Sequence, residues 1–157
     1  MRGLFRFAGA ALATTMGTGF FPLGPGTVGS LVAAALFIIC PAALRIPVTP
    51  ALLLVAWVGC EAGRKLWGED PSRVTIDEVA GCWLACLASP ERWGLWGIAA
   101  AFVLFRVFDI AKPWPVSKLD EMKSGIGILL DDIAAGIMAG LLLLAAALLF
   151  PEVNPVL

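Results

Sequence analysis

Apolar residues along this chain come in long unbroken runs, not in the alternating or three-and-four spacing of a water-facing fold. The longest, residues 133–150, carries no charge and meets no proline before Pro151. As a helix it covers about 27 Å, close to the ~30 Å hydrocarbon core of a bilayer. Residues 94–110 form a similar run that contains Arg106 and Asp109 at its far end, and residues 28–44 a third, with Pro41 near its end. Two shorter runs, 51–60 (extendable to Trp67) and 79–89, have the length of a short span or of a buried or re-entrant helix. The pattern predicts an all-α, multi-helical integral membrane bundle with about five membrane segments. No linker, repeat or low-complexity tract divides the chain, so residues 1–157 read as a single membrane domain.

Composition agrees. Mean hydropathy is +0.92 and charged residues make up 15%, against about 25% in soluble domains. A net charge of −1 supplies no basic field for nucleic acid. Arg2 and Arg6 precede a mildly apolar stretch that superficially resembles a signal peptide. That stretch is short and small-residued, and Gly17 to Pro22 makes a poor cleavage site, so the N-terminus reads as mature chain. Cys40, Cys60, Cys82 and Cys86 lie in or beside apolar runs and behave as small hydrophobes; without histidine or a Cys-x2-Cys spacing they do not suggest zinc. Cys40-Pro-Ala-Ala-Leu-Arg45 is one residue too short for a cysteine-phosphatase loop. The absence of histidine also excludes Ser-His-Asp hydrolysis and the histidine-dependent phosphatases.

Orientation follows from the basic residues. With five spans, nine of the eleven lysines and arginines fall on one side, and only Arg45 and Arg92 on the other. The positive-inside rule then puts the N-terminus and the connections 61–78 and 111–132 in the cytoplasm. Three acidic motifs, none used in the tally, arrive on that same face: Asp77-Glu78, Asp109 and Asp131-Asp132. Ionisable groups at the edge of a membrane segment are functional candidates by default. Carboxylates without histidine suit a hard cation such as Mg²⁺, which binds carboxylates, water and substrate phosphate. Asp131 and Asp132 are expected in the first turn of the last helix, where the helix dipole favours negative charge by about 0.3–1 kcal/mol.

Two further stretches carry candidate chemistry. Pro113 and Pro115 flank Trp114 and predict that the helix bearing Asp109 ends there, leaving Lys112 on a stiff turn. Phe20 to Ser30 is glycine-rich and leads into an apolar run. Its backbone at Gly26 and Thr27 is a candidate anion cradle, with Thr27 or Ser30 as an alternative N-cap. Gly136-x-x-x-Gly140 reads as a helix-packing face.

Four segments in order resemble the phosphatidylglycerophosphatase A family of bacterial membrane phosphatases: Pro25-Gly26-Thr27-Val28-Gly29-Ser30, Asp77-Glu78-Val79-Ala80-Gly81, the stretch from Phe105 to Pro115, and the stretch from Gly125 to Gly136. The resemblance implies a Mg²⁺-dependent hydrolase in the bacterial inner membrane that removes the terminal phosphate of phosphatidylglycerophosphate, with its site on the cytoplasmic face. Its partners would be an anionic phospholipid and the membrane. Carried onto this chain, Glu78, Asp131 and Asp132 would hold the metal. Gly26, Thr27, Ser30 and Lys112 would bind substrate, with Asp77, Asp109 and Lys112 catalytic, and Asp109 a possible site of an aspartyl-phosphate. The rival class is a small transporter with a cytoplasmic acidic cation site. Its weakness is a final run with no charge at all.

Overall fold

The computed structural model describes residues 2–69 and 71–151, all of whose regular elements are helical. In chain order they are α1 (Arg2–Ala13), α2 (Pro25–Ile39), α3 (Ala42–Trp67), α4 (Ile76–Leu87), α5 (Gly94–Ala111), α6 (Val116–Asp120) and α7 (Gly125–Leu149). Short 3₁₀ turns at Thr18–Phe20 and Glu91–Trp93 join them. Ala42–Trp67, Glu91–Ala111 and Gly125–Leu149 are long and apolar enough to cross a membrane.

Small residues face inward and large ones outward. α3 buries Ala56, Gly59, Cys60 and Gly63 while exposing Leu54, Val55, Trp57 and Val58. α7 buries Ala135, Gly136, Ala139 and Gly140 and exposes Leu141, Leu142, Leu144 and Leu148. Helices in lipid gain little by hiding leucine from other leucine-like surroundings, so close backbone approach at small side chains holds them together. The same outer surface in water would be an apolar patch far above what monomeric soluble proteins tolerate.

The helix ends differ from expectation in three places. α2 stops at Ile39, so the run 28–44 is two elements: Pro41 cannot continue α2 and instead becomes the N-cap of α3. α3 then continues through Pro47 and Pro50, joining the run 51–67 to residues that the prolines seemed to cut off. Tolerance of interior proline is a habit of helices set in lipid among neighbours. α7 begins at Gly125, where Ser124 Oγ accepts a hydrogen bond from Gly127 N at 3.1 Å. Asp131 and Asp132 therefore sit beyond the first turn, and the dipole argument moves to Asp77 and Glu78, which do lie in the first turn of α4.

α1 was not expected as an element. It packs Gly9 and Ala13 against Ala62, Gly63 and Gly59 of α3 and leaves Leu4, Phe5 and Phe7 exposed. Its C-terminal end is tied to the start of α4: Thr75 N donates to Ala13 O (2.9 Å), and the Thr75 hydroxyl bonds those of Thr18 (2.9 Å) and Thr15 (3.0 Å).

α4 is the central element, touching α2, α3, α5 and α7. It runs parallel to α7, with Asp77-Glu78 and Asp131-Asp132 each about one turn ahead of a glycine contact. A Cβ on Gly136 would overlap the Gly81 carbonyl, and a Cβ on Gly81 would overlap the Asp132 carbonyl and the Phe105 ring. The absence of side chains at Gly81 and Gly136 thus sets the separation of the two acidic pairs. Gly136→Ala is expected to force α4 and α7 apart and destabilise the fold by about 1–3 kcal/mol. A lowered thermal midpoint in detergent checks this, and an unaltered midpoint would contradict the close approach.

Candidate active site

The N-terminal ends of α2, α4 and α7 and the C-terminal end of α5 meet around a cavity of about 490 Å³. Gly24, Pro25 and Gly26 form one wall, Arg106, Asp109 and Lys112 another, and the segment Asp120 to Lys123 the cover. Asp77, Glu78, Asp131 and Asp132 line it as well. All three sequence motifs and the glycine-rich stretch are therefore brought together. Thr27 and Ser30 are not among the lining residues: Ser30 is buried and its Oγ donates to Gly26 O at 2.8 Å.

Within the cavity the acids divide into two groups. Asp77, Glu78 and Asp132 each offer an oxygen within 4.8 Å of the others'. Glu78 Oε2 is buried and has no hydrogen-bond partner among the described residues. A buried carboxylate oxygen left unpaired is costly, and a cation would satisfy it. The donor set, all carboxylate, fits a hard divalent ion. Asp131 stands outside this group. Lys112 Nζ donates to Asp131 Oδ2 at 2.9 Å and also bonds Asp120. The ligand set expected from the family resemblance, Glu78, Asp131 and Asp132, shares Glu78 and Asp132 with this group, whose third member is Asp77. Asp132 lies four residues from Gly136 on the face of α7 that meets α4, whereas Asp131 bonds Lys112.

Asp77 and Asp131 play matching local roles. Asp77 Oδ1 accepts from Glu78 N and Asp131 Oδ1 from Asp132 N, both at 3.0 Å. These bonds orient each carboxylate. The threonine cluster behind Thr75 fixes the start of α4 two residues before Asp77. Its signal, Thr14-Thr15 followed by Thr18, was present in the sequence but pointed to no chemistry.

Lys112 caps α5 in the left-handed conformation (φ 43°, ψ 53°), which turns it away from Asp109 and toward α6 and α7. Burial works against its charge, but the carboxylates of Asp120 and Asp131 outweigh that and hold the ammonium above its ordinary lysine value. Asp109 pairs instead with Arg106, whose Nη1 lies 2.6 Å from Asp109 Oδ2. Arg106 was not singled out from the sequence, where a lone arginine near a helix end reads as a topology marker. Its place is next to Gly26: a methyl there would overlap the Glu78 carboxylate and come within 3.1 Å of Arg106 Nη1.

The family model for phosphatidylglycerophosphatase A matches residues 11–147, which include every lining residue of this cavity. The chain belongs to the phosphatidylglycerophosphatase A family. Curated relatives agree in extent. A Bacteroides thetaiotaomicron protein provisionally named a phosphatidylinositol-3-phosphatase is 42% identical over 89% of this chain and 94% of its own. The phosphatidylglycerophosphatase A of Escherichia coli is 36% identical over 83% of this chain and 79% of its own, and that of Haemophilus influenzae 34% identical over 85% of each. No solved structure matches. For this member of the phosphatidylglycerophosphatase A family, the cavity and its acids are thus the place where phosphatase chemistry is to be sought.

Proposed function

We propose that this chain hydrolyses the terminal phosphomonoester of phosphatidylglycerophosphate, giving phosphatidylglycerol and inorganic phosphate, with Mg²⁺ held by Asp77, Glu78 and Asp132. The observation that carries the reading is the unpaired Glu78 oxygen within a three-carboxylate cluster inside the 490 Å³ cavity. In the reaction water attacks phosphorus, the bond from phosphorus to the ester oxygen breaks, and that oxygen leaves as the glycerol hydroxyl after taking a proton. Such chemistry depends on positioning and on neutralising charge more than on covalent work by the protein. A bound divalent ion supplies Lewis-acid neutralisation of phosphoryl charge.

The chain's own residues do the rest. The uncapped start of α2 at Gly26 and Thr27 points backbone N–H groups toward the cavity wall, and Gly24, its N-cap, has no side chain to occupy them. Asp109, a cavity-lining carboxylate outside the cluster, orients the attacking water and receives its proton. Lys112 holds Asp131 and Asp120, the first residue of the lining segment Asp120 to Lys123; we assign it a positioning role. α3, α5 and α7 are long enough to cross a membrane, and α2 and α4 pack against them as shorter segments; the excess of basic residues favours a cavity on the cytoplasmic side of an inner membrane.

The test is phosphate release by the purified protein in mixed micelles with Mg²⁺ or with EDTA. Phosphatidylglycerophosphate is expected to release phosphate with Mg²⁺ and to give none with EDTA. The name of the Bacteroides relative favours a second lipid phosphomonoester, phosphatidylinositol 3-phosphate, as substrate. Release from that lipid alone would replace the first reading with the second. Ion flux in liposomes without phosphate release from either lipid would return the transporter class.

A further inference from the structure

Three cations line the cavity, and they are not equally free to meet an anion. Lys112 is engaged by Asp120 and Asp131. Lys123 lies at the outer edge, 70% exposed and 3.7 Å from Glu69. Arg106 is enclosed, its side chain 16% exposed, and has one carboxylate on one nitrogen, Nη1. A guanidinium carries five N–H donors in a rigid fork. Arg106 Nε is buried without a partner, and Asp109 is the one acceptor bonded to the guanidinium among the described residues.

From this we infer that Arg106, with the N-terminal backbone of α2, is the binding site for the phosphoryl group, and that Lys112 is not. The inference rests on the proposed phosphatase reading of the same cavity. Gly26 is the hinge of the argument. The Glu78 carboxylate and Arg106 Nη1 both crowd the space where a side chain at position 26 would stand, so the metal-cluster acid, the guanidinium and the start of α2 converge on one point. A phosphate in the cavity beside this point meets a fork with spare donors, the start of α2, and the edge of the carboxylate cluster. Fork geometry matches two phosphate oxygens at once, which an ammonium cannot do. Asp109 would then keep the guanidinium plane fixed through Nη1 while the remaining donors turn to the phosphate.

The experiment titrates inorganic phosphate into the full-length protein in detergent with Mg²⁺ and reads binding by ³¹P line broadening. Arg106→Gln is expected to weaken binding about 10- to 100-fold, the range of a lost charge-assisted pair. Lys118→Gln, which removes a charge outside the cavity, is expected to leave it unchanged. Arg106→Lys keeps the charge and loses the fork, so its affinity should fall between wild type and Arg106→Gln, with KM for lipid rising more than kcat falls. Wild-type phosphate affinity in a folded Arg106→Gln protein overturns the inference. Should that variant not fold, wild-type affinity in Arg106→Lys overturns it, as does a wild-type protein that binds no phosphate. Phosphate binding that depends on Arg106, in a protein that cleaves neither lipid, would keep this inference and remove the phosphatase reading.

Discussion

Asp132→Asn is expected to lower phosphate release by at least about 10³-fold, equivalent to losing about 4 kcal/mol of transition-state stabilisation. Asp132 is buried, belongs to the three-carboxylate group, and projects from α7 toward the first turn of α4. Asparagine keeps its shape and removes the negative charge that a divalent ion needs. The informative comparison is its neighbour. Asp131→Asn leaves the group of Asp77, Glu78 and Asp132 intact and disturbs only the Lys112 pair, so its loss should be about tenfold or less, from misplacement of α6 and Lys112. Mn²⁺ binding followed by electron paramagnetic resonance separates the two without reference to activity. Asp132→Asn should weaken the ion's binding strongly and Asp131→Asn little. Equal weakening by both would restore the ligand set of Glu78, Asp131 and Asp132 that the sequence alone suggested.

Lys112→Met is expected to destabilise the protein by about 2 kcal/mol. Among the described residues its ammonium is the one cation bonded to Asp131, whose side chain is 10% exposed, and loss of that partner leaves a largely buried carboxylate without a counter-charge. Breaking enclosed charge pairs costs about 2–5 kcal/mol, and Lys112's own one-third exposure puts this pair at the low end. The sign of the repair is as telling as the loss. Lys112→Met combined with Asp131→Asn should be more stable than Lys112→Met alone, because the stranded charge is gone. A double-mutant cycle on denaturation midpoints measures this coupling. Strictly additive losses would mean that Lys112 is held by Asp120 alone and that its bond to Asp131 contributes nothing.

Much of the site was legible because charge is conspicuous in an apolar chain. Asp77, Glu78, Asp109, Asp131 and Asp132 each stood at the edge of a hydrophobic run, and all line one cavity. What spacing could not supply was partnership. Pro113 and Pro115 marked the end of the helix at Lys112, but not that Asp109 and Lys112 each find a charge elsewhere: Arg106 for one, Asp131 and Asp120 for the other. Division of Asp131 from Asp132 also depends on which side of α7 meets α4, and that is decided by Gly81 and Gly136, two residues with no side chains to read. Helix limits failed for a related reason. The run 51–60 starts after Pro50, yet α3 extends back through both prolines to Ala42, and α7 starts at Gly125, ahead of the run 133–150, with Ser124 capping Gly127. α1 escaped notice because its inward face is alanine and glycine, which carry almost no hydrophobic signal.

The parallel pairing of α4 with α7 has a consequence for how the protein comes into being. Synthesis proceeds from the N-terminus, so α4 emerges with Asp77, Glu78 and a bare Gly81 surface well before α7 exists. A growing chain at that stage holds two carboxylates of the cluster and lacks the third. Asp132 and Gly136 arrive together on the last long helix, and the same docking event that closes the glycine contact delivers the missing carboxylate. On the proposed role of the cluster, half-made chains would lack a complete set of carboxylates, and competence would begin only when the final helix has taken its place.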